Sequence, residues 1–296
     1  MDKIKILLIG GTGMAGHVIY TYLKETNKYE MFNLVFSKKL NDDSITLDVR
    51  DTLKLEEIIL KLQPNIVINC VGALVSQSKS NPGNAIFLNA YLPHLLVKII
   101  DKVGGKLLHI STDCVFSGKR GNYKELDFRD ADDVYGRSKA LGEIDSSKHV
   151  TIRTSIIGPE LKSKGEGLFD WFINQKGIVK GYSNVKWSGV TTLELAKQID
   201  IVIKNDLVGL FQLTNGDVIS KFELLELIQN SFNAFDFMTI TSDNMKISNK
   251  TLCKSDRFNF NIPSYIMMIE NLNIWMIDRS YLYKENYPYL YENINN

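Results

Sequence analysis

The sequence predicts an α/β protein built on a Rossmann-type, doubly wound parallel sheet, with a smaller C-terminal α/β substrate lobe. Two observations lead to this prediction. Short apolar runs of about four to eight residues alternate with longer amphipathic stretches, as in a parallel sheet covered by helices. A glycine-rich turn follows the first apolar run directly and precedes a helical pattern, which is typical of dinucleotide-binding folds.

Each predicted strand is one of these apolar runs. The runs are residues 5–9, 33–36, 66–70, 106–110, 150–154 and 210–213. Helices are predicted over 14–23, where apolar residues recur at helical spacing, and over 53–62 and 85–100 by the same pattern. Strand–helix–strand order with short turns implies right-handed crossovers.

The alternation changes after residue 157, where Gly158 and Pro159 open a stretch rich in lysine and glycine that includes Lys162 and Lys164. Further helices are predicted over 168–175, 220–232 and 263–277. We expect residues 1–157, with 189–217 returning to them, to form a dinucleotide-binding domain. Residues 158–188 and 218–296 are expected to form the substrate-binding lobe, with 286–296 as a frayed or loosely docked tail.

Composition excludes several classes of protein. The 296 residues include 35 Lys+Arg and 34 Asp+Glu, a net charge of +1, so nucleic acid or anionic membrane surfaces are not expected partners. No apolar run reaches the roughly 18 residues of a membrane span, and no signal peptide is recognised. The three cysteines are scattered and the four histidines form no HxxxH pair, so neither a disulfide framework nor a metal site is expected. These features favour a cytoplasmic protein.

The glycine-rich turn is the first candidate site. Gly10, Gly13 and Gly16 have the spacing G-x-x-G-x-x-G between a strand and a helix. Glycines let the backbone approach a pyrophosphate, and the helix start at Met14 and Ala15 offers free N–H groups and a partial positive charge. The alternative is a merely structural turn.

The end of the second predicted strand bears on cofactor choice. NAD sites often place an acidic residue there to hold the ribose hydroxyls. This chain has Ser37, Lys38 and Lys39 instead. A hydroxyl and two cations suit the 2′-phosphate of NADP, with NAD left open. The alternative is that the lysines are only solvated surface residues.

The most specific signal is the combination of Thr112, Tyr135 and Lys139. Tyr135 and Lys139 are four residues apart, so on a helix they point the same way. We expect the lysine ammonium, together with an oxidised nicotinamide, to lower the pKa of the tyrosine into a useful range. Thr112 can hydrogen-bond a substrate oxygen as charge develops on it.

These motifs together resemble the extended short-chain dehydrogenase/reductases, and within them the dTDP-4-dehydrorhamnose reductase group. The matching stretches are residues 10–16, 48–50, 69–73, 88–90, 110–116 (ISTDCVF), 135–143 (YGRSKALGE), 152–155 and 209–214 (GLFQLT). They lie between residue 5 and about residue 230. The stretches 75–79 and 186–192 depart from the family pattern, and the chain from Asp236 onward matches loosely.

The resemblance implies roles for particular residues. It makes Thr112, Tyr135 and Lys139 the catalytic set, with Tyr135 and Lys139 also against the cofactor. It places Asp48 and Val49 at the adenine. The cofactor would be lined by Val71, Gly72 and Ala73, and Asn89 would pack beneath the active-site helix.

The activity implied is NADPH-dependent reduction of the 4-keto group of a nucleotide-activated 4-keto-6-deoxysugar, in the synthesis of cell-surface polysaccharide precursors. Related 4,6-dehydratases have Asp-Glu after the threonine, whereas this chain has Asp113-Cys114, and a thiol replaces that carboxylate poorly. The alternatives are a nucleotide-sugar epimerase and a non-catalytic, cofactor-binding regulatory subunit. The partner would be the nucleotide sugar, and the sequence leaves a homodimer open.

Four further residues have competing interpretations. Cys114 and His109 are interpreted as packing residues of the interior. Trp187 is interpreted as a substrate contact or a core residue, and Arg153 as a structural ion pair or a substrate contact.

Overall fold

The computed structural model describes residues 3–162, 165–232 and 238–291. Lys164, Asp236 and the last residues of the predicted tail lie outside these ranges. The strands are β1 Ile4–Ile9, β2 Tyr29–Val35, β3 Ile45–Thr46, β4 Ile66–Asn69, β5 Lys106–Thr112, β6 Val150–Thr154, β7 Ile156–Ile157, β8 Gly177–Tyr182, β9 Val185–Trp187, β10 Val190–Thr191, β11 Gly209–Gln212, β12 Ile219–Ser220, β13 Met238–Asp243 and β14 Ser248–Asn249.

Helices alternate with these strands through most of the chain. They are α1 Met14–Glu25, α2 Thr52–Leu62, α3 Val75–Ser80, α4 Pro82–Ala85, α5 Leu92–Asp101, α6 Val134–Leu141, α7 Leu168–Ile173, α8 Thr192–Lys204, α9 Lys221–Phe232, α10 Tyr265–Asp278 and α11 Ser280–Tyr283. A π-helical turn, Ile86–Tyr91, joins α4 to α5. Single 3₁₀ turns lie at Asp113–Val115 and Pro288–Leu290.

Seven parallel strands form the main sheet, in the order β11-β6-β5-β4-β1-β2-β3. The predicted Rossmann-type fold is confirmed, and all six predicted strands are present. Strand β2 begins earlier than predicted because it continues past the exposed Glu30, which interrupts the apolar run. The order of the strands reverses between β1 and β4, and open sheets of this kind bind ligands in the crevice outside the carboxyl ends at such a point.

The pleat of β1 shows how the sheet separates two cores. Ile6 and Leu8 belong to the cluster that α1 and α8 cover, whereas Leu7 and Ile9 belong to the cluster under α2 and α5. Successive side chains of a strand point to opposite faces, so a continuous apolar run is required when both faces are covered. This requirement explains why the strands could be recognised from apolar runs.

The helical stretch Pro82–Asp101 is long and apolar enough to cross a membrane by length and composition alone. In the structure 44% of its apolar window is buried inside the protein. Leu92, Leu96, Ile99 and Ile100 belong to the core cluster on one face of the sheet. Packing on the sheet therefore accounts for its hydrophobicity.

The later part of the chain forms small sheets beside the main one. In one of them β12 and β14 flank β9, and in another β13 pairs with β8. Helices α9 and α10 pack on each other and contribute to the first core cluster. The domain boundaries given above stay a prediction.

The expected loosely docked tail is wrong for residues 286–291. Tyr287 is fully buried, and its hydroxyl donates to Asp170 Oδ1 at 2.9 Å and accepts from the Glu160 N–H at 2.8 Å. Just before it, the buried Tyr283 hydroxyl lies 3.0 Å from His17 Nε2. Tyrosine hydroxyls that find partners distant in sequence thus fix a segment without hydrophobic periodicity.

Candidate functional site

The glycine-rich turn brings backbone to places where a side chain would not fit. Gly10 has φ +92°, in the left-handed region that favours glycine, and the Gly13 N–H donates to the Gly10 carbonyl at 3.0 Å. A Cβ on Gly16 would lie 2.1 Å from the Gly10 oxygen. Helix α1 then begins at Met14 with Gly13 as N-cap, and among the described residues no side chain caps it. Its first N–H groups, including that of Ala15, are therefore available to a bound anion.

The predicted cofactor residues lie along one edge of the sheet. The N–H groups of Gly10 and Gly11 donate to the Leu34 carbonyl at 2.9 and 3.1 Å, so the turn lies against the end of β2. Ser37 and Lys38, both exposed, follow that strand, and Asp48 and Val49 follow β3. After β4, the next strand on the other side of β1, come Val71, Gly72 and Ala73.

Asp48 and Val49 differ in their surroundings. Val49 is buried in the core cluster with Leu55 and Ile59. The Asp48 carboxylate accepts from Arg50 Nε at 2.9 Å, and this hydrogen bond lowers the pKa of Asp48. Asp48 is therefore charged at neutral pH.

Asn89 ties the loop after β4 to helix α6. Its side-chain oxygen accepts from the Ala73 N–H at 2.8 Å, and its amide donates to the Ala73 carbonyl and to Ser138 Oγ, both at 3.0 Å. Asn89 is fully buried in the π-helical turn. The predicted position of Asn89 beneath helix α6 is confirmed, and π-helical turns are frequent at functional sites.

Thr112 and Tyr135 meet where β5 ends and α6 begins. Thr112 Oγ1 accepts from the Cys114 N–H and donates to Asp113 Oδ1, each at 3.1 Å. Asp133 caps α6 by accepting from the Gly136 N–H at 2.8 Å. A Cβ on Gly136 would lie 2.2 Å from the Cys114 carbonyl oxygen, so the glycine allows the helix to approach the strand end closely.

Burial raises the pKa of Tyr135, and a hydrogen bond with Thr112 opposes that rise only in part. In the protein alone, removal of the phenolate from water is the larger effect. The phenol is consequently protonated at neutral pH. The lowering expected from Lys139 together with an oxidised nicotinamide stays a prediction. A protonated phenol beside a hydroxyl can donate a proton to a carbonyl oxygen bound there.

Lys139 lies one helical turn after Tyr135 and is 5% exposed. Its ammonium Nζ donates to the Ile110 carbonyl at 2.7 Å and lies 3.3 Å from His109 Nε2. Burial lowers the pKa of Lys139 to about 8. Lys139 can therefore gain or lose a proton close to neutral pH.

His109 is a buried core histidine, as predicted, but it also contacts Lys139. Asn69 Oδ1 accepts from the Val71 N–H at 3.1 Å, which orients the Asn69 amide to donate to His109 Nδ1 at 3.2 Å. Burial holds the pKa of His109 well below its usual range, so the ring is neutral. The only sequence signal for this contact was a polar residue within an apolar strand.

Arg153 forms a structural ion pair rather than a substrate contact. Its Nε and Nη2 donate to the two oxygens of Glu143 at 2.9 and 2.7 Å, and neither side chain is exposed. Ser111 Oγ and Arg129 Nη1 donate to the same carboxylate at 2.7 and 2.9 Å. Sequence reasoning did not single out Glu143, although it lies within the YGRSKALGE stretch.

Cys114 and Trp187 are both packing residues with polar neighbours. Burial raises the pKa of the Cys114 thiol to about 12, so it is protonated and unreactive at neutral pH. Trp187 is 3% exposed and its Nε1 donates to Ser155 Oγ at 2.8 Å, which places it in the core. Within the described ranges, no group of three or more His, Cys, Asp or Glu side chains could hold a metal ion.

Known proteins resemble this chain in sequence and in fold. The dTDP-4-dehydrorhamnose reductase of Aggregatibacter actinomycetemcomitans is 32% identical over 157 residues, 51% of either chain. The spore coat polysaccharide biosynthesis protein SpsK of Bacillus subtilis is 26% identical over 230 residues, 76% of this chain and 78% of SpsK. The alignment with the first relative thus spans about half of that relative's length.

The fold similarity extends further along the chain. A crystal structure of dTDP-4-dehydrorhamnose reductase from Bacillus anthracis, in complex with NADP, superposes with a TM-score of 0.77. It is 22% identical and covers 93% of this chain and 100% of its own. A sequence model of the RmlD substrate binding domain matches residues 4–250. This match covers most of the chain, which therefore belongs to the RmlD substrate binding domain family.

Proposed function

We propose that the protein is an NADPH-dependent oxidoreductase that reduces the 4-keto group of a nucleotide-activated 4-keto-6-deoxysugar. The observation that supports this most strongly is the convergence of Thr112, Tyr135 and Lys139 at the carboxyl edge of the sheet. The glycine-rich turn lies at the same edge, across β4. A hydride donor and a proton donor could thus be held at the two atoms of one substrate carbonyl group.

The residues present fit a dinucleotide cofactor. Gly10 and Gly16 allow the tight turn that leads into α1, and the start of α1 at Met14 and Ala15 can bind phosphate. In this proposal Val71, Gly72 and Ala73 line the cofactor, and Asp48 and Val49 lie at the adenine. Ser37 and Lys38 would bind the 2′-phosphate, which favours NADP over NAD. When bound, NADPH supplies the hydride that the ketone carbon receives.

The protein's own residues complete the reduction of the ketone to an alcohol. Thr112 Oγ1 orients the carbonyl oxygen, and Tyr135 donates its phenolic proton to that oxygen as the carbon gains the hydride. Lys139, with a pKa of about 8, stabilises the phenolate left behind and would hold the nicotinamide ribose when the cofactor is bound. The proton on Tyr135 is then replaced from solvent.

The alternatives receive less support from the site. A dehydratase needs a carboxylate-like base after the threonine, and Cys114 is a protonated thiol there. A regulatory subunit that only binds the cofactor has no use for a tyrosine and a lysine aimed at one carbonyl site. The reductase and SpsK relatives agree with a role in polysaccharide precursor synthesis.

A turnover assay tests this proposal. Purified protein is mixed with NADPH and dTDP-linked or UDP-linked 4-keto-6-deoxysugars, and loss of NADPH absorbance is followed. We expect oxidation of NADPH that depends on the keto sugar and a product that has gained two hydrogen atoms. NADPH binding without any turnover across the panel would favour the regulatory-subunit alternative.

A further inference from the structure

Two lysines flank the central strand of the small sheet that adjoins the catalytic residues. Ser220 at the end of β12 and Asn249 at the end of β14 both pair in register with Lys186 of β9, one on each side. Lys221 and Lys250 follow these two residues directly. The sheet therefore fixes both lysine backbones on opposite sides of one strand.

Both lysine side chains face the turn that follows Thr112. The Asn249 N–H donates to the Gly118 carbonyl at 2.8 Å, which ties β14 to the chain just after that turn. The Asp113 carboxylate favours the charged form of both lysines. A Cβ on Gly118 would lie 2.9 Å from Lys250 Cγ, so the Lys250 side chain lies against the chain just after that turn. The Cys114 N–H in turn donates to Thr112 Oγ1. The two ammonium groups thus lie near the turn at Asp113, directly after the Thr112 hydroxyl assigned to the substrate carbonyl.

The two cations lack a matching anion. In the described part of the chain, neither ammonium forms an ion pair with a carboxylate. Asp113 acts on both lysines but forms no ion pair with either within the described ranges, and Asp133 near Lys250 already caps helix α6. Lys221 instead lies over the Trp187 ring, 5.0 Å from its centroid. Half-buried cations without a close carboxylate favour the binding of an external anion.

We propose that Lys221 and Lys250 form an anion subsite that binds an oxyanion of the substrate. This inference rests on the proposed function, since the substrate there is a nucleotide sugar. The oxyanion would be the diphosphate of the nucleotide, which ammonium groups bind through charge-assisted hydrogen bonds. The lysine pair would then help to place the sugar carbonyl at Thr112 and Tyr135.

Equilibrium binding by calorimetry tests the subsite without turnover. The probes are free dTDP, free UDP, UDP-glucose and UDP-glucuronic acid. We expect Lys221→Met and Lys250→Met each to weaken binding of an anionic probe roughly tenfold or more, the loss of one charged hydrogen bond. Lys246→Met is the matched control, because Lys246 is exposed and also lies over an aromatic ring, that of Tyr182.

The pattern across the probes identifies the oxyanion. If it is the diphosphate, free dTDP or UDP loses affinity in both variants. A loss of affinity confined to UDP-glucuronic acid would mean that the lysines bind a sugar carboxylate, which would overturn the diphosphate subsite. Lys250→Arg should retain most of the affinity, and NADPH affinity should be unchanged in every variant.

Unchanged affinities in both methionine variants, or no binding of any probe by the wild type, would overturn the subsite. Failure of the proposed function would look different. In that case the variants would lose affinity for the probes, yet the wild type would not oxidise NADPH with any keto sugar.

Discussion

Replacing Arg153 by methionine would leave the Glu143 carboxylate in the interior with only part of its partners. The side chains of both residues are fully buried, and the arginine supplies two of the four hydrogen bonds to the carboxylate described above. Removal of one partner from a buried ion pair costs about 3–5 kcal/mol. Arg129 remains 2.9 Å from Glu143 Oε2, so we expect the free energy of unfolding to fall by the lower end of this range, about 3 kcal/mol.

Urea unfolding of the wild type and of Arg153→Met measures this loss. Arg120→Met is the matched control, since Arg120 also pairs with a carboxylate, that of Asp127, and lies over an aromatic ring, but is 60% exposed. We expect the control to lose less than about 1 kcal/mol. Equal losses in the two variants would refute the reasoning that burial makes the Arg153–Glu143 pair costly to break.

The same pair predicts a dependence of stability on pH. Burial alone would raise the pKa of Glu143, but the hydrogen bonds and charge of Arg153 outweigh it and lower that pKa below its ordinary value of 4.5. The stabilising contribution of Glu143 is therefore complete above pH 4.5 and is lost as the pH falls through the folded-state pKa of Glu143. The double variant Arg153→Met/Glu143→Met should lose less stability on acidification than the wild type, as measured by urea unfolding at several pH values.

Three further predictions concern the site. Tyr135→Phe removes the proton donor and should lower kcat by roughly a hundredfold or more while NADPH affinity stays close to that of the wild type; unchanged turnover would exclude Tyr135 as the acid. Lys38→Ala should reduce the preference for NADPH over NADH in kcat/KM, because one contact with the 2′-phosphate is lost; equal use of both cofactors by the wild type would make Lys38 a surface residue only. Cys114→Ser should keep most of the reductase activity, and the wild type should remove no water from nucleotide-linked glucose; mass spectrometry that detects water loss would support a dehydratase.

The main sheet could be predicted from the sequence because its strands are covered on both faces. Such strands must be apolar throughout, as Leu7 and Leu8 on opposite faces of β1 illustrate. Strands of two residues, such as β3 and β12, are too short to produce a hydrophobic pattern. The sequence therefore predicts neither β3 nor β12.

The motifs predicted the candidate site, but not the contacts that support it. Thr112, Tyr135 and Lys139 could be found by spacing, whereas the contacts of His109 with Lys139 and of Glu143 with Arg153 form only when separate elements of the fold pack together. The packing of Tyr287 against Glu160 depends on such a contact too. The pKa of Tyr135 could not be judged from spacing, because it depends on burial.

Transfer of deuterium from labelled NADPH tests the central claim most directly. NADPH carrying deuterium at nicotinamide C4, on either face, is incubated with the protein and a nucleotide-linked 4-keto-6-deoxysugar, and the product is analysed by NMR and mass spectrometry. If the protein reduces the 4-keto group, deuterium from one of the two labelled forms appears at C4 of the sugar, and Tyr135→Phe slows its appearance. A sugar without deuterium at C4 after incubation with both forms, despite bound cofactor, would contradict the account.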